Sequence, residues 1–248
     1  MVSAYDLIIA GLSVLLSLGT VVVCLRRRIF LKYPLLNLYL AVSVVFTVGC
    51  YYLYRTDGYS SLAYFYFYYT ADGIQNVIGY LLIGSFFYHM LRDSAFQKYV
   101  LPTLTIFFLG VVGISELVIA RSMDRFSVVK FLPEFQQNMF FVGVLLTFLL
   151  WASMTYLRAE SRRFVLLVSG LGIYFSAHAV SYAFQTLFLS PAVAAALTKV
   201  PPIAYTVMVS LWLYTFLRVP EGEPAYVPQP GMAADKPAYA AASAGRGQ

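Results

Sequence analysis

The sequence is poor in charge: Asp, Glu, Lys and Arg make up 11% of its 248 residues, against about 25% in a typical soluble chain. Seventeen basic and 11 acidic residues cannot cover a soluble protein of this length, and 60% of the positions are apolar. Such a chain belongs in a lipid bilayer. Its net charge of +6 implies no nucleic-acid partner, because basic residues on a membrane protein report its orientation. Cysteine is equally scarce: Cys24 and Cys50 fall near opposite ends of successive apolar segments, so no disulfide is expected.

Seven segments have the length and apolar content of a membrane-crossing helix, near residues 5–25, 34–54, 70–91, 100–120, 134–157, 163–187 and 200–218. The first is not a cleaved signal peptide, since its arginines follow the apolar run and no small-residue cleavage site ends it. If the N-terminus lies outside, 12 Lys and Arg fall inside, among them Arg26, Arg27, Arg28, Arg92, Arg163 and Arg218; five fall outside (Arg55, Arg121, Arg125, Lys130 and Lys199). The inside excess predicts an all-α, seven-helix transmembrane bundle with its N-terminus outside and its C-terminus cytoplasmic. The setting is expected to be a cell membrane of the bacterial inner-membrane type.

Pro34, Pro102, Pro133, Pro201 and Pro202 all fall in predicted first helical turns, where the missing N–H costs nothing, and no proline interrupts a span. Residues 1–218 therefore form the transmembrane domain. From Val219 the composition turns to Pro, Ala and Gly, which predicts a disordered cytoplasmic tail over 219–248.

Other absences narrow the chemistry. The two histidines, His89 and His178, lie at different depths, which disfavours a haem clamped between them and a histidine-rich zinc site of the kind found in seven-helix ceramidases. The last span has no interior lysine, Lys199 preceding Pro201 at its mouth, so a rhodopsin-like retinal Schiff base is not expected. Neither a phosphate-binding glycine loop nor a Cys-x-x-Cys pair is present, and no nucleophile, base and acid share a depth. We expect no enzyme, no metal and no cofactor.

Polar residues at membrane depth are costly and mark candidate sites. In the third span Asp72, Gln75, Asn76 and Gly79 share one helical face, close to the outer boundary. An Asp that caps the helix end accounts for this pattern as well as a pocket does. In the sixth span Tyr174, His178, Ser181 and Gln185 step i, i+4, i+7, i+11, and Gly172, Ser176, Ala179 and Ala183 form a small-residue stripe on the other side. A helix of this pattern packs on both sides, and a satisfied interhelical hydrogen bond is the plainer account of His178. Glu116, Glu134, Gln137, Asn138 and Lys199 complete an outer polar set. The candidate ligand site is thus Asp72, Gln75, Asn76, Glu116, Tyr174, His178, Ser181 and Gln185, over an apolar floor.

Residues 51–69 contain eight tyrosines, expected as an interfacial aromatic belt or as a cage roofing the pocket. With no proline between Ser60 and the third span, that helix is free to extend outward through the run.

Seven spans, short loops and an exit through the stretch Leu211–Pro220 resemble the sensor regions that precede bacterial histidine kinases and cyclases. The likeness is one of layout over residues 1–218. It implies a sensor-like or accessory module with a small-molecule ligand, signalling through a separate cytoplasmic partner because no effector domain follows. A small-molecule transporter using the same pocket, or a structural subunit contacting neighbouring membrane subunits, are the alternatives. Scarce polar residues in the inner half, apart from Asn37, Ser85 and His89, count against the transporter.

Overall fold

The computed structural model describes residues 4–58, 61–92, 96–121, 128–157, 161–187, 193 and 196–220. The predicted tail, from residue 221 on, lies outside them. Among the described residues the chain is all-α, with seven long helices: α1 (Ala4–Arg26), α2 (Pro34–Asp57), α3 (Leu62–Met90), α4 (Gln97–Arg121), α5 (Val128–Leu157), α6 (Arg162–Leu187) and α7 (Val200–Arg218). A 3₁₀ turn (Phe30–Lys32) joins α1 to α2.

Six of the seven are long and apolar enough to cross a membrane. The exception is α3, at 29 residues the second longest, because its tyrosine-rich first half and the run Asp72, Gln75 and Asn76 lower its hydropathy. It packs against α2, α4 and α5, so much of this polar surface meets protein. Ser61 caps its start, accepting from the Tyr64 N–H at 3.1 Å; α3 thus extends through most of the tyrosine run, as the absence of proline allows. In this run Tyr51, Tyr52, Tyr66 and Tyr68 are exposed, and Tyr54, Tyr64 and Tyr69 are half-buried.

Two prolines sit deeper than expected. Pro34 and Pro201–Pro202 do occupy first turns, but α4 starts at Gln97 and α5 at Val128, leaving Pro102 and Pro133 inside their helices. The reason is that helix continues through polar and interfacial residues ahead of the apolar run, so each proline falls in the second turn and removes one backbone bond there.

Neighbour contacts close six helices into a ring, in the order α1, α2, α3, α5, α6, α7 and back to α1, with α4 packed outside against α3 and α5. Lipid gives no hydrophobic drive between helices, so close approach through small residues holds such a ring together. Helix α1 buries Ser13, Ser17, Thr20 and Cys24 along one stripe. A Cβ on Gly143 of α5 would run into the Phe175 ring of α6, and one on Gly170 of α6 would lie 2.8 Å from the Trp212 indole nitrogen of α7. Gly143→Ala is expected to destabilise the bundle by about 1–2 kcal/mol through overpacking. An unchanged unfolding midpoint in detergent would contradict this contact.

Arg26–Arg28, Lys32, Arg92, Arg163 and Arg218 gather at one end of the helices, here termed the basic end. There Arg27 donates to the Leu217 carbonyl at 3.0 Å, tying α1 to α7. Asn37 donates to the Phe30 and Tyr33 carbonyls and so fixes the 3₁₀ turn on α2.

Candidate functional site

The interior of the ring is aromatic and polar. Tyr39 of α2 is its hub: its ring meets Tyr174 of α6 at 6.3 Å and Tyr205 and Trp212 of α7 at 6.5 and 6.0 Å between centroids. Gly79 of α3 lets this hub approach, since a Cβ there would sit 3.4 Å from Tyr39 and 3.3 Å from Phe175. Tyr205 shares a 3.1 Å hydrogen bond with Ser17 of α1. On the far side Phe140 of α5 stacks on His178 at 4.2 Å and lies 5.7 Å from Tyr182.

The polar face of α3 points into this interior. Asp72 is half-buried, with its carboxylate in electrostatic reach of the hydroxyls of Tyr39, Tyr68, Tyr174 and Tyr182. Gln75 is half-buried and its amide, like the Tyr174 hydroxyl, adjoins that of Tyr39, though without the alignment of a hydrogen bond. Asn76 is 1% exposed, as are Tyr39 and Ser181. Among the described residues, neither polar atom of the Asn76 amide, nor the Tyr39 hydroxyl, nor the Ser181 hydroxyl has a hydrogen-bond partner. Buried polar groups are nearly always paired, and each one left unpaired carries a desolvation cost of about 1–3 kcal/mol.

Of the eight residues predicted from the sequence, Asp72, Gln75, Asn76 and Tyr174 are therefore brought together. His178 and Ser181 lie above Tyr174 on the same helix. His178 is half-buried, its Nδ1 3.1 Å from the Tyr174 carbonyl of its own helix; this bond is within the helix, not between helices. Gln185 is half-buried near the end of α6. Glu116 is exposed while its neighbour Ser115 is fully buried, so the structure turns Glu116 away from the ring. Asn138, placed in the same outer set, donates to Ser115 at 2.9 Å and joins α5 to α4.

Gln136 was not anticipated. It is fully buried, donates to the Tyr69 carbonyl at 2.9 Å and accepts from the Tyr182 hydroxyl at 3.3 Å, so it links α5 to α3 and α6. Its signal is present in the sequence: Gln136, Phe140, Gly143, Thr147, Leu150 and Met154 step by four and three, and all six are buried.

None of the eight predicted residues lines either of two cavities in the bundle. One, of about 360 Å³, opens at the basic end between the start of α2, the end of α3 and the start of α4. The other, of about 190 Å³, is a groove between α5 and α6 that includes Gly172 and Ser176 of the small-residue stripe.

The arrangement defines an all-α, multi-pass membrane protein with a polar cluster inside a helix ring. Comparison with models of known protein families, with curated proteins and with solved structures gave no match.

Proposed function

We propose that the chain is a sensor-like membrane module that binds a small polar ligand at the Asp72, Asn76 and Tyr174 cluster and signals through a separate partner. In this reading all seven helices cross the bilayer, α3 included, with the N-terminus outside and the basic end cytoplasmic. The observation that supports it is the set of groups on Tyr39, Asn76 and Ser181 that have no partner among the described residues, at most 1% exposed and on three different helices. A ligand that supplied their missing partners would draw α2, α3 and α6 into a new packing. A differential affinity of that kind is what shifts a population between two states.

The same orphaned groups provide the test. Asn76→Leu removes an unpaired amide, so the ligand-free protein should gain about 1–2 kcal/mol of stability. It should also lose any small-molecule adduct carried by wild type extracted gently from its own membrane, read by native mass spectrometry. A wild-type protein without an adduct, or an adduct held equally by N76L, overturns the reading.

A further inference from the structure

The cavity at the basic end belongs to a different part of the molecule and has a chemistry of its own. Lys32, His89 and Arg92 stand on its rim, all three exposed, and the fully buried Leu36, Phe86 and Phe164 form its floor. Phe164 packs on Phe86 at 5.2 Å and on His89 at 5.6 Å between centroids, so α6 supports the α3 side of the cavity. No acidic side chain lines it among the described residues.

The backbone adds to the same sign. Helix α2 begins at the cavity with Pro34 in its first turn, and its cap residue, Tyr33, makes no side-chain capping bond. Tyr33, Pro34, Leu35 and Leu36 line the cavity, so the positive end of the helix dipole lies beside the space that the two cations border, and a helix N-terminus so placed favours an anion. Cation, helix terminus and cavity are three separate contributions that select one ligand charge. The apolar floor selects further, since a bare ion gains nothing from Leu36, Phe86 and Phe164, whereas a phosphate carrying an apolar group fills both parts.

We propose that this cavity binds a phosphate ester, with the phosphate between Lys32, Arg92 and the first turn of α2. Its volume of about 360 Å³ is within the range of small-ligand sites. Basic cavities between membrane helices on the cytoplasmic side suit anionic headgroups, but a soluble phosphate ester has the same chemistry. The two sources differ in where the ester comes from and not in what holds it.

The test compares wild type, K32Q/R92Q and, as a control, R26Q/K98Q, which removes two exposed cations from the same end outside the cavity. Each is reconstituted in phosphatidylcholine nanodiscs with and without phosphatidylglycerol, and separately offered phenyl phosphate, a soluble ester with an apolar group. Bound species are counted by native mass spectrometry, and unfolding in pure phosphatidylcholine checks that each variant is folded. Wild type and R26Q/K98Q should retain one phosphatidylglycerol, with occupancy at least about tenfold lower in K32Q/R92Q; K32R/R92K, which keeps the charge, should restore it. Binding of phenyl phosphate with the same variant pattern instead supports the site and assigns it to a soluble ester. If neither probe binds wild type, or if the control loses as much as K32Q/R92Q, the proposal is overturned.

Discussion

Trp212→Ala should cost the bundle about 3–5 kcal/mol, the range for removing a fully buried large aromatic. Trp212 has no exposed surface and its indole N–H donates to the Leu167 carbonyl of α6 at 2.9 Å. Its ring also meets Tyr39 edge-on at 6.0 Å, so one side chain joins α7 to α6 and α2. Between helices in lipid the loss is one of dispersion contacts and a hydrogen bond, not of water-driven burial. Gly170 makes the contact specific, because a Cβ there would meet the indole nitrogen at 2.8 Å. Gly170→Ala should therefore be costly in wild type and nearly neutral beside Trp212→Ala, and a double-mutant cycle of unfolding free energies in detergent measures that difference. Additive effects would mean that the two residues do not meet.

Helix existence was legible in the sequence, and for a physical reason. A bilayer demands about 20 consecutive apolar residues with every backbone group bonded internally, a pattern long enough to survive errors at its ends. The predicted span 200–218 coincides with Val200–Arg218, and 163–187 differs from Arg162–Leu187 by one residue. The ends that moved furthest are the end of α2 and the starts of α3, α4 and α5, where helix continues beyond the apolar run. Hydropathy reports where lipid begins, whereas helix ends are set by caps such as Ser61 and by backbone bonding, so the two diverge at interfaces.

The candidate site was legible only in part. Periodicity groups Asp72 with Asn76, and Tyr174 with His178, but it does not say which face meets the ring interior and which meets lipid. That choice depends on ring order, which puts α4 outside and leaves Glu116 exposed. Gln136 shows the converse: it adjoins the polar Gln137 and Asn138 but alone among these three is fully buried. Its own stripe separated it from them, and only the partners on α3 and α6 show why. Composition changes at Val219, yet Val219 itself is buried, held by a side chain far away in the sequence.

That side chain is Arg163, and Arg163→Met should cost about 2–3 kcal/mol. Arg163 is 3% exposed; its guanidinium donates from Nε and Nη2 to the Val219 carbonyl at 3.2 and 2.7 Å and lies 5.9 Å from the Phe216 ring centre. It thus caps the C-terminus of α7 with a positive charge, where the helix dipole favours one. Hydrogen bonds to a charged group contribute about 1.5–3 kcal/mol, and relief from burying the cation offsets part of their loss. Arg163→Lys keeps the charge but not the two-pronged geometry, so it should fall between wild type and R163M. The effect should also be local: amide exchange over residues 215–219 should rise more in R163M than exchange in the middle of α7. Equal exchange in R163M and wild type would mean that the arginine does not anchor this end. If it does, the direction in which the chain leaves α7 is set by the first turn of α6, the helix that also carries Tyr174 and His178, so a repacking of α6 at the polar cluster would move the exit of α7 through Arg163.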